Sequence, residues 1–460
     1  MPDFVYLTFP RFLPIMGGKG VFSMKKRWLL PLLLAALLVL SACGGNTANP
    51  ATDADYDVTM TAASAGDVSI TVPIYNYFYN QTVSNYAQLL MAFYGLKSGV
   101  PLAEQTYGDA TFEELLIEQT NSMLQQCLNV YSAAKAAGYK LTEDDQAAIE
   151  KSMSGLNETS QQEGYESADA YLAKTFGPGC TEANYREYME IFQVAYSYSK
   201  YLLANEFAPT EEMITAEYAA NPDRYDVINF SYVASTSESD AKAAEASFPE
   251  DNVSSSSGNK ETLEGNLGEE IAAWLLDGSR KAGDVKYFAD ISGEGYIAVR
   301  YDSRDNNDYQ RVKSYIILID MSNVDDVAEG EIPPQQAAEN ILSQTTEDMS
   351  DEAFEQLVKD NGYAANLRVV GKDDYADEVT NFLYNENPAA GECASFYIGK
   401  ILYIVRFVGI DEETYQHALV REALSSDAED AWYAAQAQSF PIQINEDALK
   451  HATTNLTLES

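Results

Sequence analysis

Two stretches of this chain are copies of one pattern, so the fold must contain at least two related units. LLDGSRKAGDVKYFADISGEGYIAVRY, from Leu275, recurs as LYNENPAAGECASFYIGKILYIVRF, from Leu383; Gly283 matches Gly391, Asp284 matches Glu392 and Arg300 matches Arg406. Each copy ends in a β-branched and aromatic run typical of a strand. VINFSYVAST from Val227, VKYFAD, EGYIAVRY and VKSYIILI read as strands, with helix candidates such as EEIAAWLLDG between them. SFPEDNVSSSSGNKE, from Ser247, reads as a mobile loop. The repeat therefore predicts two α+β units, at about 225–308 and 309–410.

Before Pro209 the period is helical. From Val72, Tyr75, Phe78, Tyr79, Val83, Tyr86, Leu89, Leu90 and Phe93 recur at spacings of three and four, an amphipathic stripe. Thr111 with Glu114 has the form of a capping box, and Gly138 that of a helix stop. LTEDDQAAIEKSMSGL and the run Thr181 to Phe207, opened by Thr181, Asn184 and Tyr185, continue the helical set, and one more helix follows Pro209. From Asp411 the helical pattern returns, with Leu419, Ala423, Ala428 and Trp432 on one face. That helix has no helical neighbour in sequence, so docking on the earlier helices is the economical way to bury it. The expected class is α+β: a helical domain over 58–224 completed by 411–460, with the two repeat units between. A chain of 460 residues is long enough for such a set of cores.

Met24 to Gly45 has Lys25, Lys26 and Arg27, then an apolar run from Trp28 to Leu40, then small residues around a cysteine. This is the order of a secretory signal, and the run is short of the ~20 residues a bilayer span needs. Leu40, Ser41, Ala42, Cys43 resembles the lipobox of bacterial lipoproteins, which implies lipidation at Cys43 and a lipid-anchored protein on the extracytoplasmic face of the cell membrane, in a Gram-positive bacterium. Met24 is the expected start, because Gly17, Gly18, Lys19 and Gly20 need purine-rich codons like a ribosome-binding site. Residues 1–42 are then leader and signal, and 43–57, small, polar and acidic, a flexible tether.

The net charge is −42, and the residues after 42 carry 24 basic against 70 acidic side chains, a balance of −46. Such a body repels phosphate backbones, which excludes nucleic acid as a partner. With Cys43 assigned to lipid, Cys127, Cys180 and Cys393 remain, an odd, widely spaced set that matches neither a disulfide framework nor a zinc site. The only histidines are His417 and His451, read as ordinary surface or core residues. No cofactor or metal is expected, and no G-x-S-x-G elbow, HExxH or histidine triad points to a hydrolase.

The segment PTEEMITAEYAANPDRYDVINFSYV, and Trp274 to Asp284 with its W-L-x-D-x-x-R-x-A-G-D pattern, resemble the extracytoplasmic foldases of the PrsA and SurA type. The resemblance covers most of the chain after the tether. It implies a helical chaperone domain built from both chain ends, with parvulin-like (PpiC-type) prolyl isomerase domains between. Isomerases of this type lower a barrier of about 18–20 kcal/mol in an apolar pocket that carries two histidines, one in the first strand and one in the last. The matching first-strand positions here are Tyr232 and Ile316; the matching last-strand positions, three residues before Arg300 and Arg406, are Ile297 and Tyr403. None is histidine. Tyr232 remains a weak catalytic candidate, and Tyr296 or Tyr315 is a candidate groove residue, although such residues more often simply pack in a half-buried sheet. The leading expectation is a chaperone or foldase that binds unfolded secreted polypeptides, its parvulin-like domains kept as scaffold. An active prolyl isomerase and a solute-binding lipoprotein of a transporter are the alternatives; the helix-only stretch from Pro73 to Ala208 speaks against the second.

Overall fold

The computed structural model describes residues 47–48, 57–291, 293, 295–322, 332–372 and 374–458. The expected leader and signal, the lipidation site Cys43 and most of the tether lie outside them. The described residues form a mixed α+β protein and divide into two compact units. One runs Pro209–Ala423; the other is made from the chain before Pro209 and after Ala423.

The second of these is largely helical. It begins with a hairpin, β1 (Thr61–Ala65) and β2 (Val68–Thr71), turned by Gly66 at φ +58°. Then come α1 (Val72–Phe93), α2 (Phe112–Ala136), α3 (Glu143–Gln162), α4 (Ala168–Phe176) and α5 (Glu182–Asn205). The helix starts are set by side chains that satisfy orphan N–H groups. Thr111 accepts from the Glu114 N–H at 3.1 Å while Glu114 accepts from the Thr111 N–H at 2.8 Å, and Thr142 with Asp145 and Thr181 with Asn184 repeat the device. Beyond the end of α2, Gly138 takes φ +68°, which a side chain would resist. Residues 72–80 of α1 are buried on every side, and Tyr75, Phe78 and Tyr79 meet Leu124, Leu128, Leu156 and Phe192 in one core. The expected stripe on α1 narrows at its end: Tyr86 and Leu90 still pack on the core, while Leu89 and Phe93 are 39 % and 76 % exposed.

The other unit holds α6 (Glu211–Ala220) and the two repeats. The first repeat is β3 (Val227–Ser235), α7 (Glu238–Ala246), β4 (Ser254–Gly258), α8 (Lys260–Leu267), α9 (Glu269–Leu276), β5 (Val285–Ala289) and β6 (Tyr296–Asp305). The second is β7 (Gln310–Asp320), α10 (Pro334–Gln344), α11 (Asp351–Asp360), β8 (Leu367–Val370), α12 (Asp377–Thr380) running into a π-type turn at Asn381–Asn385, β9 (Cys393–Ile398) and β10 (Ile401–Thr414). Each forms a four-stranded antiparallel sheet, ordered β4-β3-β6-β5 and β8-β7-β10-β9, so both share one topology. Two expectations are corrected here. The segment read as a mobile loop contributes β4, whose serines gain ladder hydrogen bonds from β3 although they bring no β propensity of their own. The chain from Asp411 stays extended to Thr414, because Thr414 still pairs with Gln310, and turns helical only at Tyr415.

In the first sheet Ile228, Phe230 and Val299 pack on Leu263, Ile271 and Leu275. The second sheet has an apolar cluster on each face. Tyr315, Ile317 and Ile319 meet Ile341, Phe354 and Val358, while Val312, Ile316 and Val405 meet Val379, Phe382 and Leu383. The chain continues as α13 (Tyr415–Ser439), which the division into units cuts after Ala423, then β11 (Ile442–Ile444). On the expected face of α13, Ala423 is buried and Leu419 half-buried, while Ala428 and Trp432 pack against the helical unit's core. β11 adds to the hairpin in the order β11-β1-β2.

Candidate functional site

The four positions matched to isomerase histidines fall into two pairs of identical geometry. Tyr232 lies opposite Val299, and Ile297 two residues along the same strand, so the two side chains are diagonal neighbours on one face. Ile316 lies opposite Val405, and Tyr403 again two residues along. Ile297 and Ile316 are buried at 8 % and 5 % exposure, and Tyr232 and Tyr403 are half-buried against the same apolar clusters. Among the described residues neither tyrosine hydroxyl makes a hydrogen bond. At these four positions the faces offer hydrocarbon and phenol, and no imidazole. Tyr296 is half-buried at the start of β6. Tyr315 does not line a groove: it is buried on the opposite face from Ile316, where its hydroxyl donates to Glu355 at 2.7 Å and its ring lies 5.3 Å from that of Phe354. Its place in the strand alternation puts it there.

The turns that match in sequence also match in hydrogen bonds. Gly283 at φ +91° donates to the Tyr301 carbonyl at 2.9 Å, and Tyr301 donates back to Asp284; Gly391 at φ +90° donates to Phe407 at 2.8 Å, and Phe407 donates back to Glu392. The acidic side chains close the turns alike, Asp284 accepting from the Lys281 N–H at 3.0 Å and Glu392 from the Ala389 N–H at 2.8 Å. Arg300 and Arg406 each lie over a phenylalanine ring, Phe248 at 4.8 Å and Phe354 at 5.2 Å.

The histidines are separate from these faces. His417 bridges two carboxylates, Nδ1 to Glu413 Oε1 and Nε2 to Glu211 Oε2, both at 2.7 Å, and Glu413 also holds Arg421 and Arg311. Partial burial opposes its charge, but hydrogen bonds to Glu413 and Glu211 outweigh this and raise its pKa. Burial likewise opposes ionisation of Glu413, and is overcome by Arg421 and His417, which hold it down to about 2. His451 Nδ1 accepts from the Asp57 N–H at 3.3 Å. Burial pushes the thiols of Cys127 and Cys180 up to about 12 and that of Cys393 up to about 11, out of the nucleophilic range.

An aromatic concavity lies in the helical unit. It has a volume of about 620 Å³ and is walled by Tyr139, Tyr198, Tyr201, Phe207 and Trp432, with Leu202, Ala137, Ala428 and Glu206 completing it. Several elements deliver these rings. Tyr198, Tyr201 and Leu202 share one face of α5 at spacings of three and four. Phe207 follows the helix end, its N–H bonded to the Leu202 carbonyl at 2.9 Å, and Tyr139 follows the stop at Gly138. Ala428 and Trp432 stand one turn apart on α13. Tyr139 and Tyr198 are 5.0 Å apart, Tyr198 and Tyr201 stack at 6.1 Å and 8°, and Trp432 lies 6.3 Å from Tyr198 and 6.1 Å from Phe207, edge-on to both. Tyr198 is nearly buried and Tyr201 is 44 % exposed, so the wall runs from core to rim. Burial, then the Glu206 charge, raises the Tyr198 pKa, and the hydroxyl remains protonated near neutral pH. The wall offers apolar ring faces with a carboxylate, Glu206, at its edge, surfaces that suit apolar groups and cations in general. Of this wall the helical pattern identified only Ala428 and Trp432.

Among the described residues no group of His, Cys, Asp and Glu side chains is placed to hold a metal ion, and no helix is long and apolar enough to cross a membrane. No protein-family model matches the chain, and no curated protein matches it.

Proposed function

We propose that this protein is an extracytoplasmic chaperone of the foldase type. It is anchored by lipid at Cys43 and holds unfolded segments of secreted polypeptides in the aromatic groove, with two parvulin-like repeats as a non-catalytic scaffold. The observation that carries the reading is the wall of five aromatic rings in the helical unit with a carboxylate at its edge. Such a surface suits exposed apolar and basic segments of many sequences, since ring faces are tolerant of what lies on them. The repeats support it through what stands at Tyr232, Ile297, Ile316 and Tyr403, where a proton-exchanging pair has no residues to form it. The strongly acidic body agrees with basic clients and with the absence of nucleic acid among its partners.

The test is suppression of aggregation of a reduced, basic client protein, followed by light scattering. The wild-type chain is expected to suppress it. Tyr201→Ala, at the exposed rim, and Trp432→Ala are each expected to raise the concentration required by roughly tenfold. No suppression, or suppression indifferent to both substitutions, would refute the groove. A protease-coupled peptide assay is expected to show no prolyl isomerisation; activity abolished by Tyr232→Ala would establish an enzyme in place of a scaffold. Thermal stabilisation by a small solute without binding of unfolded protein would favour a transporter's binding lipoprotein.

A further inference from the structure

The three-stranded sheet of the helical unit has an open edge at β11, and its hydrogen-bond phase is readable from the hairpin beside it. Ala65 pairs with Val68 across the two-residue turn Gly66–Asp67. A hairpin of that length closes on a pair that exchanges both backbone bonds, so Ala65 directs its N–H and C=O toward β2. Ser64, one residue along, directs its own toward β11, where its partner is Gln443. The Asn445 N–H donates to the Ala62 carbonyl at 2.9 Å, in phase with this pattern. Gln443 therefore spends its backbone groups on β1. Ile442 and Ile444 direct theirs away from the sheet, to an edge that no strand covers among the described residues.

The same two isoleucines line a concavity of about 420 Å³ whose other wall is α2, with Ile117, Asn121, Glu114 and Glu118. The Asn121 side-chain oxygen already accepts from the Tyr75 hydroxyl at 3.0 Å, which turns the amide into a donor for anything else it meets. Free backbone donors and acceptors, apolar seats at alternate positions and a pair of carboxylates one helical turn apart all lie on one margin. Each selects the same occupant.

We propose that this margin receives an extended, basic segment of a bound polypeptide, added to β11 as a fourth strand, with alternate apolar side chains against Ile442, Ile444 and Ile117 and its cationic side chains toward Glu114 and Glu118. This rests on the polypeptide-binding reading and adds to it a second contact, one that recognises backbone where the aromatic groove recognises side chains. The edge is three residues long, so the added strand gains only the outward bonds of Ile442 and Ile444 and binds weakly by itself. Its value lies in linkage: a client held at both places dissociates more slowly than from either.

The probe is a short fluorescent peptide alternating Val and Lys, titrated into the full chain and followed by anisotropy. N-methylation of the amides on one edge of the peptide, and separately Glu in place of each Lys, are each expected to weaken binding roughly tenfold. Ile444→Pro removes an outward N–H without touching the ladder to β1, and is expected to weaken it similarly. Equal binding of the parent and N-methylated peptides would overturn the proposal, as would no binding of the parent. If Ile444→Pro fails to fold, the N-methylated peptide against the wild-type chain decides. Aggregation suppression that still depends on Trp432 in a chain that ignores the peptide would place the failure at β11; loss of both would bring down the polypeptide-binding reading itself.

Discussion

The two repeats share strand order, the glycine turn and an arginine over a phenylalanine, yet they treat that arginine differently. Arg300 is about one-third exposed, bonding Asp302 at 2.7 Å and Ser231 at 3.1 Å. Arg406 is 3 % exposed, and it holds Asp351 and the Met349 carbonyl, while its Nε has no partner among the described residues. The cause is the cover. In the first repeat a single helix, α7, lies between the first two strands; in the second, α10 and α11 do, and the chain entering α11 closes over the guanidinium. One framework thus serves as a partly wet surface in one copy and as core in the other. Constraints on equivalent residues come from what is laid over the sheet, and only secondarily from the sheet.

The turn glycines break the comparison most sharply. Both have φ near +90°, but a Cβ on Gly391 would stand 1.9 Å from the Glu347 carbonyl oxygen, while one on Gly283 would meet nothing within 4 Å. Gly391→Ala is expected to cost about 3 kcal/mol or more and Gly283→Ala about 1–2 kcal/mol, from backbone strain alone. Urea unfolding of the two variants would measure this, and equal costs would mean that the segment at Glu347 yields freely. Next come the arginines. Arg406→Ala should lose about 2–4 kcal/mol, through lost packing on Phe354 and an abandoned carbonyl. Arg300→Ala should lose about 1 kcal/mol or less, as exposed pairs do. Similar losses would contradict the difference in cover.

Smaller still is a difference in pH response. The first repeat is tied at its ends by Arg304 to Asp226 at 2.6 Å and Asp223 at 2.7 Å, a tie without histidine. Past the second repeat the tie runs through His417. Its pKa is raised in the folded chain, so its contribution is complete below the ordinary histidine value of about 6.5 and fades as pH rises through the folded value. Stability should fall over that window by less than about 1 kcal/mol, given the exposure of the pair. His417→Gln should remove the slope, as read from unfolding midpoints against pH. The smallest effect tests likeness instead of difference. Tyr232→Phe and Tyr403→Phe each delete a hydroxyl without a hydrogen-bond partner, and both should shift stability by less than about 0.5 kcal/mol. A large shift at either position would reveal a polar duty in one repeat and not the other.

Features governed by neighbours in sequence were legible beforehand. The capping box at Thr111, the helix start at Thr181, the stop at Gly138 and the aromatic strand runs all depend on residues within a turn of each other. The matched glycines were visible because a positive φ admits few alternatives. Features that depend on distant chain were not. Ser254–Gly258 becomes a strand only because β3 offers it a ladder, and β1 and β11 are short and plain for the same reason. Trp432 was visible from its helical period, but its companions Tyr139, Tyr198, Tyr201 and Phe207 come from several elements whose convergence no local pattern records. Whether Tyr315 lines a groove or packs was open, because the choice of face follows strand alternation, not residue type.

Two buried thiols carry a practical consequence. Cys127 and Cys180 sit in the core of the helical unit, each kept protonated by burial, so a maleimide finds them only when the surrounding fold opens, while Cys393 in the second repeat is half-buried and reacts from the folded state. The first repeat has no cysteine and stays silent. Labelling rates at Cys127 and Cys180, resolved by peptide mass and set against Cys393, would clock the opening of the helical unit with sensors the chain already contains.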